Sequence, residues 1–482
     1  MRELINELVQ RKFNYKSFRP GQEEAILSIL KGEDTLVMLP TGSGKSLCYQ
    51  LPAYLLEGTV LVVSPLLSLM QDQVKNLKAL GEKKVVSLNS ESTISERKRI
   101  FRGLADYRFI YISPEMLQNI KVIQALKSIK ISMFIVDEAH CISHWGTDFR
   151  PDYLQLATVR KELNYPRTMA LTATATKEVR TEIIRFLALD ENKTKKIIKS
   201  VDRPNIKFIV KQAQGNKNQL LENYLKKLKG PGIVYFMSKK LADKWSKKLN
   251  EEFNIPTASY HSEIEGDDKT KIQEQFLKNE IKVVCATSAF GMGFDKKDIR
   301  FVIHYHLPAS IEMYLQEVGR ASRDGKESLG ILLYQPGDEQ IQKRFIESSL
   351  PDKRLLKKIF LNEKISQDED EIMIKLAEHY NSLANNLEGI WNLVNERRQI
   401  KEKQLEFMME YVFSKQCKRE KLLNYFDEKI IESQKYCCSN CNNDESGLIK
   451  KVNEQISSES YKKTVKKIEN WESIFESLYN KP

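Results

Sequence analysis

One segment near the amino terminus constrains the fold more than any other. The apolar run DTLVML (34–39) leads into Pro-Thr-Gly-Ser-Gly-Lys-Ser (40–46), and a helical pattern, LCYQLPAYLL (47–56), follows. A strand, a glycine-rich turn ending in Lys-Ser and a helix together form the context of a phosphate-binding loop. Leu39 stands where the strict pattern has its first glycine, so the match is to the looser form. The segment predicts nucleotide binding by an α/β domain.

The residues of this loop suit phosphate chemistry. Glycines allow backbone N–H groups to face the phosphates, Lys45 is long enough to reach the β and γ oxygens, and Ser46 offers a hydroxyl to Mg²⁺. A glycine-rich turn with a surface lysine is the alternative interpretation, but the flanking strand and helix favour the nucleotide site. The candidate contacts from this loop are Thr41, Gly42, Ser43, Gly44, Lys45 and Ser46.

Apolar runs alternate with helical patterns over most of the chain. In the first 200 residues, runs at 34–39, 59–64, 107–113, 132–138 and 168–174 are nearly continuous in apolar residues. Such runs are typical of strands in a parallel sheet that is covered on both faces. After a short polar, proline-containing linker near 200–205, a second set predicts another parallel sheet, with strands at 231–238, 257–262, 282–288, 301–306 and 330–336. We expect two tandem α/β lobes.

The remaining chain has a helical character. We expect lobe 1 at 1–200, lobe 2 at 201–340, a helical domain at 341–445 and a tail at 446–482. In the tail, apolar residues recur at helical spacing and predict one amphipathic helix. These residues are Tyr461, Val465, Ile468, Phe475 and Leu478.

A pair of acidic residues closes one predicted strand of lobe 1. The run SMFIV is followed by Asp137-Glu138-Ala139-His140. A carboxylate at the carboxyl end of a parallel strand, beside the phosphate loop, can hold Mg²⁺ through water, and the next carboxylate can orient and deprotonate the attacking water. Paired acids at a strand end are also common surface residues. With the phosphate loop upstream, we expect Asp137 to bind magnesium and Glu138 to act in catalysis.

Lobe 2 carries two arginines that are candidates for binding the γ-phosphate. The segment QEVGRASRDG, which begins at Gln316, places Arg320 and Arg323 three residues apart, hence on one face of a helix. From a lobe that faces the phosphate loop, both could stabilise charge that develops on the γ-phosphate. An exposed basic turn is the alternative. Gln316 and Asp295, the latter in a glycine-rich loop after an apolar strand, are expected at the same cleft.

Net charge and hydropathy limit the kinds of partner that the chain can have. The chain has 77 Lys and Arg against 65 Asp and Glu, a net charge of +12. This excess suits a polyanionic partner, although solvated proteins also carry one. No window approaches the roughly 18 apolar residues of a membrane span, and the amino terminus lacks the apolar core of a secretory signal. We expect a cytoplasmic protein without a membrane partner.

Four of the seven cysteines crowd near the carboxyl end. They are Cys417, Cys437, Cys438 and Cys441. In a reducing compartment, such a cluster indicates a metal site before a disulfide. Buried reduced thiols are the alternative.

Several motifs stand in an order that resembles the helicases of superfamily 2. They are PTGSGKS (40–46), SPLLSLMQDQV (64–74), DEAH (137–140), LTATAT (171–176), ATSAFGMGFDK (286–296) and QEVGRASRDG (316–325). Four further segments resemble the RecQ family of DNA helicases: FNYKSFRPGQ (13–22), CISHWGTDFRPDY (141–153), VDRPNI (201–206) and KREKLLNYFDE (418–428). The resemblance covers roughly residues 5–445. It implies two RecA-like lobes followed by a small helical zinc-binding domain.

The resemblance also implies a role for the segment before the first lobe. FRPGQ is similar to the family's adenine-reading motif, in which Tyr15 would stack on the base while Arg19 and Gln22 bond to its edge. From the residues alone, an aromatic residue, an arginine and a glutamine before a helix could equally form a capping and packing cluster.

The segment after DEAH resembles the family's aromatic-rich loop, which senses single-stranded DNA. Trp145 and Phe149 offer faces for base stacking, and Arg150 offers a charge for phosphate or cleft contacts. An aromatic loop packed in the core is the alternative. Thr147 stands where many members of the family have His, which removes any role that needs an imidazole there.

The cysteine cluster resembles the family's zinc module. In that pattern Cys417 is the distant ligand, Cys438 and Cys441 form the close pair, and the fourth position holds Asp444. Zinc accepts a carboxylate oxygen, so we expect Asp444 as the fourth ligand. Cys437 is the alternative, disfavoured because adjacent cysteines seldom both face one ion.

Taken together, the resemblance implies an ATP-dependent 3′→5′ DNA helicase of DNA repair and recombination. It implies ATP, Mg²⁺ and structural Zn²⁺ as cofactors, and single-stranded and branched or tailed duplex DNA as substrates. Single-strand-binding or recombination proteins are expected as further partners, with a location at the nucleoid in a bacterium. An RNA helicase and an ATP-regulated DNA-binding or annealing protein with weak unwinding are the alternatives. Because only residues 446–482 follow the zinc module, we expect a short form without the winged-helix and HRDC domains.

Overall fold

The structure, a computed structural model, describes residues 1–89, 92–143, 146, 149–291, 294–366, 369–430, 437–442 and 444–456. These residues form two parallel sheets followed by a helical region, which confirms the predicted α/β class.

Lobe 1 is built on a seven-stranded sheet in which every pairing is parallel. Its strands are β1 (Thr35–Met38), β2 (Thr59–Val63), β3 (Val85–Leu88), β4 (Phe109–Ile112), β5 (Ile131–Val136), β6 (Thr168–Thr172) and β7 (Lys195–Ile198). They lie in the order β3-β4-β2-β5-β6-β1-β7. The helices are α1 (Arg2–Arg11), α2 (Gln22–Leu30), α3 (Leu47–Gln50), α4 (Leu67–Ala79), α5 (Ile94–Arg102), α6 (Ile120–Lys127), α7 (Leu156–Glu162) and α8 (Lys177–Phe186).

Lobe 2 repeats the architecture with six parallel strands. These are β8 (Ile206–Gln212), β9 (Gly232–Tyr235), β10 (Thr257–Tyr260), β11 (Val283–Ala286), β12 (Phe301–His304) and β13 (Ser328–Tyr334). Their order is β10-β11-β9-β12-β13-β8. The helices are α9 (Lys217–Lys227), α10 (Lys239–Phe253), α11 (Gly266–Leu277) and α12 (Ile311–Val318).

Three strands were not predicted, and all three lie at sheet edges. β3 and β7 bound the sheet of lobe 1, and β8 bounds that of lobe 2. An edge strand is covered less completely than a central one, so its sequence is less continuously apolar. β7, with the sequence KKII, exposes both lysines, and β8 begins at Ile206, directly after the segment predicted as the linker.

The helical region follows lobe 2. Its helices are α13 (Asp338–Ser348), α14 (Lys353–Phe360), α15 (Glu371–Leu383), α16 (Leu387–Phe413), α17 (Lys418–Tyr425) and α18 (Ser439–Asn442). Residues 445–456 are also helical and bury Leu448, Ile449 and Val452 against lobe 2. The predicted amphipathic helix from Tyr461 to Leu478 lies outside the described residues. Within the described part of the chain, none of the helices has the length and apolar character needed to cross a membrane.

The sheet topology positions the candidate site. β1 and β5 are interior strands, and their carboxyl ends continue into the phosphate loop and the acidic pair. Because carboxyl ends of parallel strands meet at one edge of a sheet, the two motifs become neighbours although residues 47–136 separate them in the chain.

Candidate active site and thiol cluster

The phosphate loop has the backbone that its glycines permit. Gly42 and Gly44 both have φ of +79°, in the left-handed region that favours glycine. A Cβ atom on Gly42 would lie 2.8 Å from Cγ of Arg323, and one on Gly319 would lie 2.9 Å from Cβ of Thr41. The loop is therefore in close contact with the arginine-bearing segment of lobe 2.

The acidic pair lies at the end of β5, as predicted. Asp137 is buried, and its carboxylate accepts a hydrogen bond of 3.0 Å from the backbone N–H of Glu138. Burial, with the nearby charge of Glu138, raises the pKa of Asp137 to about 7, while Lys45 opposes the shift. Glu138 has φ of +47°, a left-handed conformation that is uncommon for a non-glycine residue. A buried carboxyl with a raised pKa, beside a lysine, marks a candidate cation site.

A short chain of polar contacts runs from this pair to the next strand. Nδ1 of His140 lies 3.4 Å from Oε2 of Glu138 and 3.1 Å from Oγ1 of Thr172. Thr172 ends β6 and begins the TAT segment. The threonine hydroxyl thus contacts the DEAH histidine as well as the backbone carbonyl of Thr174.

Both predicted arginines of lobe 2 are directed into the cleft. Arg323 donates to Oδ1 of Asp295 at 2.8 Å and to the carbonyl of Phe294 at 3.0 Å, and Arg320 donates to the carbonyl of Gly291. The Nε atoms of both arginines are buried and have no hydrogen-bond partner within the described residues. Burial lowers the pKa of Arg323, against the opposing charge of Asp295. Two desolvated guanidiniums with unused donors suit an anionic ligand.

These groups surround one cavity of about 570 Å³ between the lobes. That volume is in the range of about 300–1,000 Å³ for small-molecule sites. The cavity brings together most of the predicted nucleotide residues: Tyr15, Arg19, Gln22, Thr41, Gly42, Gly44, Lys45, Ser46, Asp137, Glu138, Asp295, Gln316, Arg320 and Arg323. Ser43 completes the loop, and its buried hydroxyl lacks a hydrogen-bond partner among the described residues. These cationic, hydroxyl and carboxylate groups fit a nucleoside triphosphate with Mg²⁺.

The predicted adenine residues contact the phosphate loop. Nε2 of Gln22 donates to the carbonyls of Ser43 and Gly44 at 2.8 and 3.0 Å, and Arg19 donates to the carbonyl of Gly42. Tyr15 is half exposed at the cavity wall. In this arrangement Arg19 and Gln22 support the loop, so their predicted bonds to the adenine edge would require these side chains to turn. The adenine role stays a prediction.

Other cavity residues were not predicted. Leu69, Gln73 and Asn76 line it from successive turns of α4. They lie in or just after the SPLLSLMQDQV motif, and their i, i+4, i+7 spacing marks one helix face, which is a signal that could have identified them. Arg203, in the VDRPNI segment, also contacts the phosphate loop.

The predicted DNA loop is described only in part. Trp145 and Thr147 lie outside the described residues. Phe149 lies 5.8 Å from the ring of His379, centroid to centroid, and Arg397 lies over its face at 5.5 Å. Arg150 donates to the carbonyl of Pro65 at 2.7 Å. Helices α15 and α16 thus contact one side of this loop, and the DNA roles of Trp145, Phe149 and Arg150 stay predictions.

The four clustered cysteines converge on one point. Their Sγ atoms lie within 4.8 Å of one another, with 3.3 Å between Cys417 and Cys437 and 3.5 Å between Cys438 and Cys441. A tetrahedral ion with Zn–S bonds of about 2.3 Å places its sulfurs about 3.8 Å apart. Hydrogen bonds from Cys417 and Cys437 and from the N–H of Lys418 lower the pKa of the Cys438 thiol. The cluster therefore fits Zn²⁺.

The fourth member of this cluster is Cys437, so the expected preference for Asp444 is corrected. Asp444 is exposed, and its carboxylate accepts the backbone N–H of Gly447 at 2.8 Å, as a cap of helical residues 445–456. The carbonyl of Cys437 accepts from the N–H of Phe208 in β8, and Cys438 pairs with the same residue. Because this pairing anchors the CC dipeptide to the sheet edge, both thiols reach one point.

Comparison with known proteins agrees with this geometry. Residues 19–182 match the DEAD/DEAH box helicase family, 216–325 the helicase conserved C-terminal domain and 336–445 the RecQ zinc-binding family. The chain is 42% identical over 470 residues to the probable ATP-dependent DNA helicase RecS of Bacillus subtilis, covering 91% of this chain and 92% of that protein. This chain belongs to the RecQ family of ATP-dependent DNA helicases.

Two further comparisons define the extent of the similarity. The ATP-dependent DNA helicase RecQ of Bacillus subtilis is 41% identical over 347 residues, which are 71% of this chain and 58% of that protein. The helicase Lhr of Mycobacterium smegmatis, solved with ssDNA and AMP-PNP, superposes with a TM-score of 0.56 at 19% identity, over 85% of this chain and 57% of that one. The last match supports the fold alone, namely paired RecA-like lobes. Family membership makes the chain an ATP-hydrolysing DNA helicase of RecQ type with a zinc-binding domain.

Proposed function

We propose that ATP with Mg²⁺ binds in the cavity between the lobes and that its hydrolysis drives 3′→5′ movement along single-stranded DNA. The observation that carries the proposal is the meeting, around one cavity, of the phosphate loop and acidic pair of lobe 1 with two arginines of lobe 2. Phosphoryl transfer needs both a metal-binding carboxylate and positive charge at the transferred group. Lobe 1 supplies Asp137 and Lys45, whereas lobe 2 supplies Arg320 and Arg323, so the bound nucleotide would hold the lobes together until it is hydrolysed.

Each residue then has a defined task. Lys45 binds the β and γ oxygens, Ser46 and Asp137 hold Mg²⁺, and Glu138 orients the attacking water and takes its proton on Oε2. The metal, when bound, neutralises charge on the β- and γ-phosphates. Arg320 and Arg323 stabilise the transition-state charge, Asp295 orients Arg323 and Gln316 contacts the nucleotide. Tyr15 packs on the adenine, and Arg19 and Gln22 read its edge.

Coupling to DNA would start from the acidic pair. His140 contacts both Glu138 and Thr172, so a shift of the catalytic carboxylate reaches the TAT segment directly. The aromatic-rich loop follows the DEAH motif in the chain, and Arg150 joins it to Pro65 in the SPLLSLMQDQV motif. Bases stacked on Trp145 and Phe149 would therefore be linked to the catalytic carboxylate through covalently adjacent residues.

Zinc would have a structural role. Held by Cys417, Cys437, Cys438 and Cys441, it would tie the start of α17 to the segment that pairs with β8. Four protein ligands leave no open position for a substrate, which is typical of structural zinc.

The Lys45→Ala variant tests the phosphate site. Removing the ammonium that binds the β and γ oxygens should lower DNA-stimulated ATP hydrolysis by more than about 100-fold, an effect of the size seen for charged groups in phosphoryl transfer. Lys121→Ala, at an exposed lysine of α6, is the matched control and should keep the parent rate. If Lys45→Ala hydrolyses ATP at the parent rate with DNA present, the assignment is wrong.

Polarity is tested by unwinding. With ATP and Mg²⁺, a duplex with a 3′ single-stranded tail should be separated at least tenfold faster than the same duplex with a 5′ tail. A non-hydrolysable ATP analogue should support neither reaction. Equal separation with the analogue would indicate a binding or annealing protein, and a preference for RNA tails would indicate an RNA helicase.

The substrates follow from this proposal. Tailed and branched duplexes are intermediates of DNA repair and recombination, and in a bacterial cell they would lie at the nucleoid in the cytoplasm. Single-strand-binding and recombination proteins cover the same DNA, so we expect them as partners. Co-purification after nuclease treatment would separate direct contacts from those made through DNA.

A further inference from the structure

The interlobe linker carries an arginine that bridges the two halves of the cleft. Nη1 of Arg203 donates to the carbonyl of Thr41 in the phosphate loop at 2.6 Å. The same guanidinium donates to the carbonyls of Gly319, Ala321 and Ser322 at 3.2, 3.2 and 2.7 Å. Those three residues surround Arg320 in the chain. One side chain therefore fixes the phosphate loop of lobe 1 relative to the arginine-bearing segment of lobe 2.

The chemistry of this contact depends on arginine. A guanidinium has five N–H donors in a planar fork, whereas an ammonium has three donors around one point. The fork of Arg203 serves four carbonyl oxygens that belong to two lobes. A buried carbonyl that loses its donor is costly, so all four acceptors favour the geometry in which the lobes are in contact.

The linker is itself held from the other side. Arg419 of α17 is buried, and its guanidinium binds the carboxylate of Asp202 and the carbonyls of Arg203 and Ile206. Arg419 lies two residues after Cys417 of the thiol cluster. The backbone of Arg203 is thus clamped by the zinc-binding domain while its side chain spans the cleft.

We propose that Arg203 is a positioning residue, which aligns Arg320 and Arg323 on the phosphate loop, and that Arg419 keeps Arg203 in place. The catalytic arginines are supplied by lobe 2 and act only when the lobes are correctly aligned, so the alignment itself must be built by contacts outside the phosphates. The N–H groups of Arg203 donate to backbone carbonyls, whereas Lys45, Arg320 and Arg323 are the residues proposed to bind the phosphates. This inference rests on the proposed function of those residues.

The test compares Arg203→Ala and Arg203→Lys with a matched control. Arg160 is a buried arginine whose hydrogen-bond partners (Thr168, Ala188 and Asp34) all lie in lobe 1. With saturating single-stranded DNA, Arg203→Ala should lower kcat at least tenfold and change KM for ATP less than threefold. Arg203→Lys should lower kcat by less than Arg203→Ala but should not restore the parent value. Arg160→Lys should keep kcat within twofold of the parent. Equal kcat in Arg203→Ala and the parent would overturn the proposal.

A second readout separates alignment from simple loss of stability. Small-angle X-ray scattering with ADP and beryllium fluoride should show compaction of the parent and of Arg160→Lys, but less compaction of Arg203→Ala at the same nucleotide occupancy. Full compaction of Arg203→Ala would contradict a positioning role.

The clamp is tested through Arg419→Lys. It should lower kcat about threefold to tenfold, with the zinc content still near one ion per chain. Parent kcat in this variant would remove Arg419 from the proposal. Lys45→Ala distinguishes failure of the nucleotide site from failure of the positioning role. If Lys45→Ala is active, the proposed nucleotide site is wrong. If Lys45→Ala is inactive and Arg203→Ala is not impaired, only the positioning role of Arg203 is wrong.

Discussion

The nucleotide cleft and the thiol cluster both gather charged ligand groups, but they are built in opposite ways. The cleft takes its groups from segments between Tyr15 and Arg323, spread over two lobes, and leaves a cavity between them. The thiol cluster takes all four ligands from residues 417–441 and holds their Sγ atoms within 4.8 Å of one another. An open site shared by two lobes can change with each catalytic cycle, whereas a closed site in one domain fixes structure. Variants in the cleft should therefore change turnover, and variants in the cluster should change stability.

Arg320→Ala should give the largest effect. It removes transition-state charge supplied by lobe 2, and arginines in this role contribute about 10³-fold or more to kcat. Lobe 1 keeps the phosphate loop, so nucleotide affinity should change less than fivefold. Steady-state kinetics and fluorescent-ADP titration measure the two quantities.

Two further variants sharpen this result. Arg320→Lys keeps the charge but loses the planar fork, and should recover only part of the rate. Arg354→Ala, at an exposed arginine of α14, should have no effect. If Arg320→Ala lost nucleotide affinity and kcat to the same extent, nucleotide binding could not be assigned to lobe 1 and transition-state stabilisation to lobe 2.

The same contrast explains what could be predicted from sequence. Residues of the cleft follow apolar strands, and strand ends in a parallel sheet meet at one edge, so Lys45, Asp137 and Glu138 could be placed together before any coordinates. Arg320 and Arg323 were predicted to share one face of a helix, and this expectation is corrected because α12 ends at Val318 and both arginines lie in the turns that follow it. Arg203 lies in VDRPNI, which was predicted to be part of the linker and resembles a RecQ segment, but nothing local to it indicates that this side chain crosses the cleft.

The fourth thiol shows where local spacing fails. The resemblance to the family's zinc module placed Asp444 in the fourth position, and the rule that adjacent cysteines seldom face one ion disfavoured Cys437. In the structure, pairing of Cys438 with Phe208 of β8 sets the orientation of the dipeptide, and that pairing is a contact between residues 230 positions apart. Long-range backbone contacts of this kind leave no mark in the local sequence.

Substitution of Cys437 tests the closed site directly. Cys437→Ser should reduce zinc from about one ion per chain to nearly none and destabilise the zinc-binding domain by several kcal/mol, because metal affinity is part of its folding free energy. Asp444→Ala should keep the zinc and lose only a helix cap, about 1 kcal/mol. Metal analysis and thermal unfolding check both. Zinc loss in Asp444→Ala with retention in Cys437→Ser would identify Asp444 as the fourth ligand.

The smallest expected effect concerns pH at the open site. The pKa of Asp137 is raised to about 7 by burial and by Glu138, so below pH 7 its carboxyl is increasingly protonated. A metal ion binds only the carboxylate, and its affinity should therefore fall by up to about tenfold per pH unit below 7 and level off above 8. Binding of Mn²⁺ in the presence of ADP, followed by electron paramagnetic resonance from pH 6 to 8, measures this dependence. Glu138→Gln removes the neighbouring charge and should move the fall to lower pH, while protonation of ADP itself affects both proteins equally. An identical pH profile in the two proteins would show that the charge of Glu138 does not raise the pKa that governs metal binding.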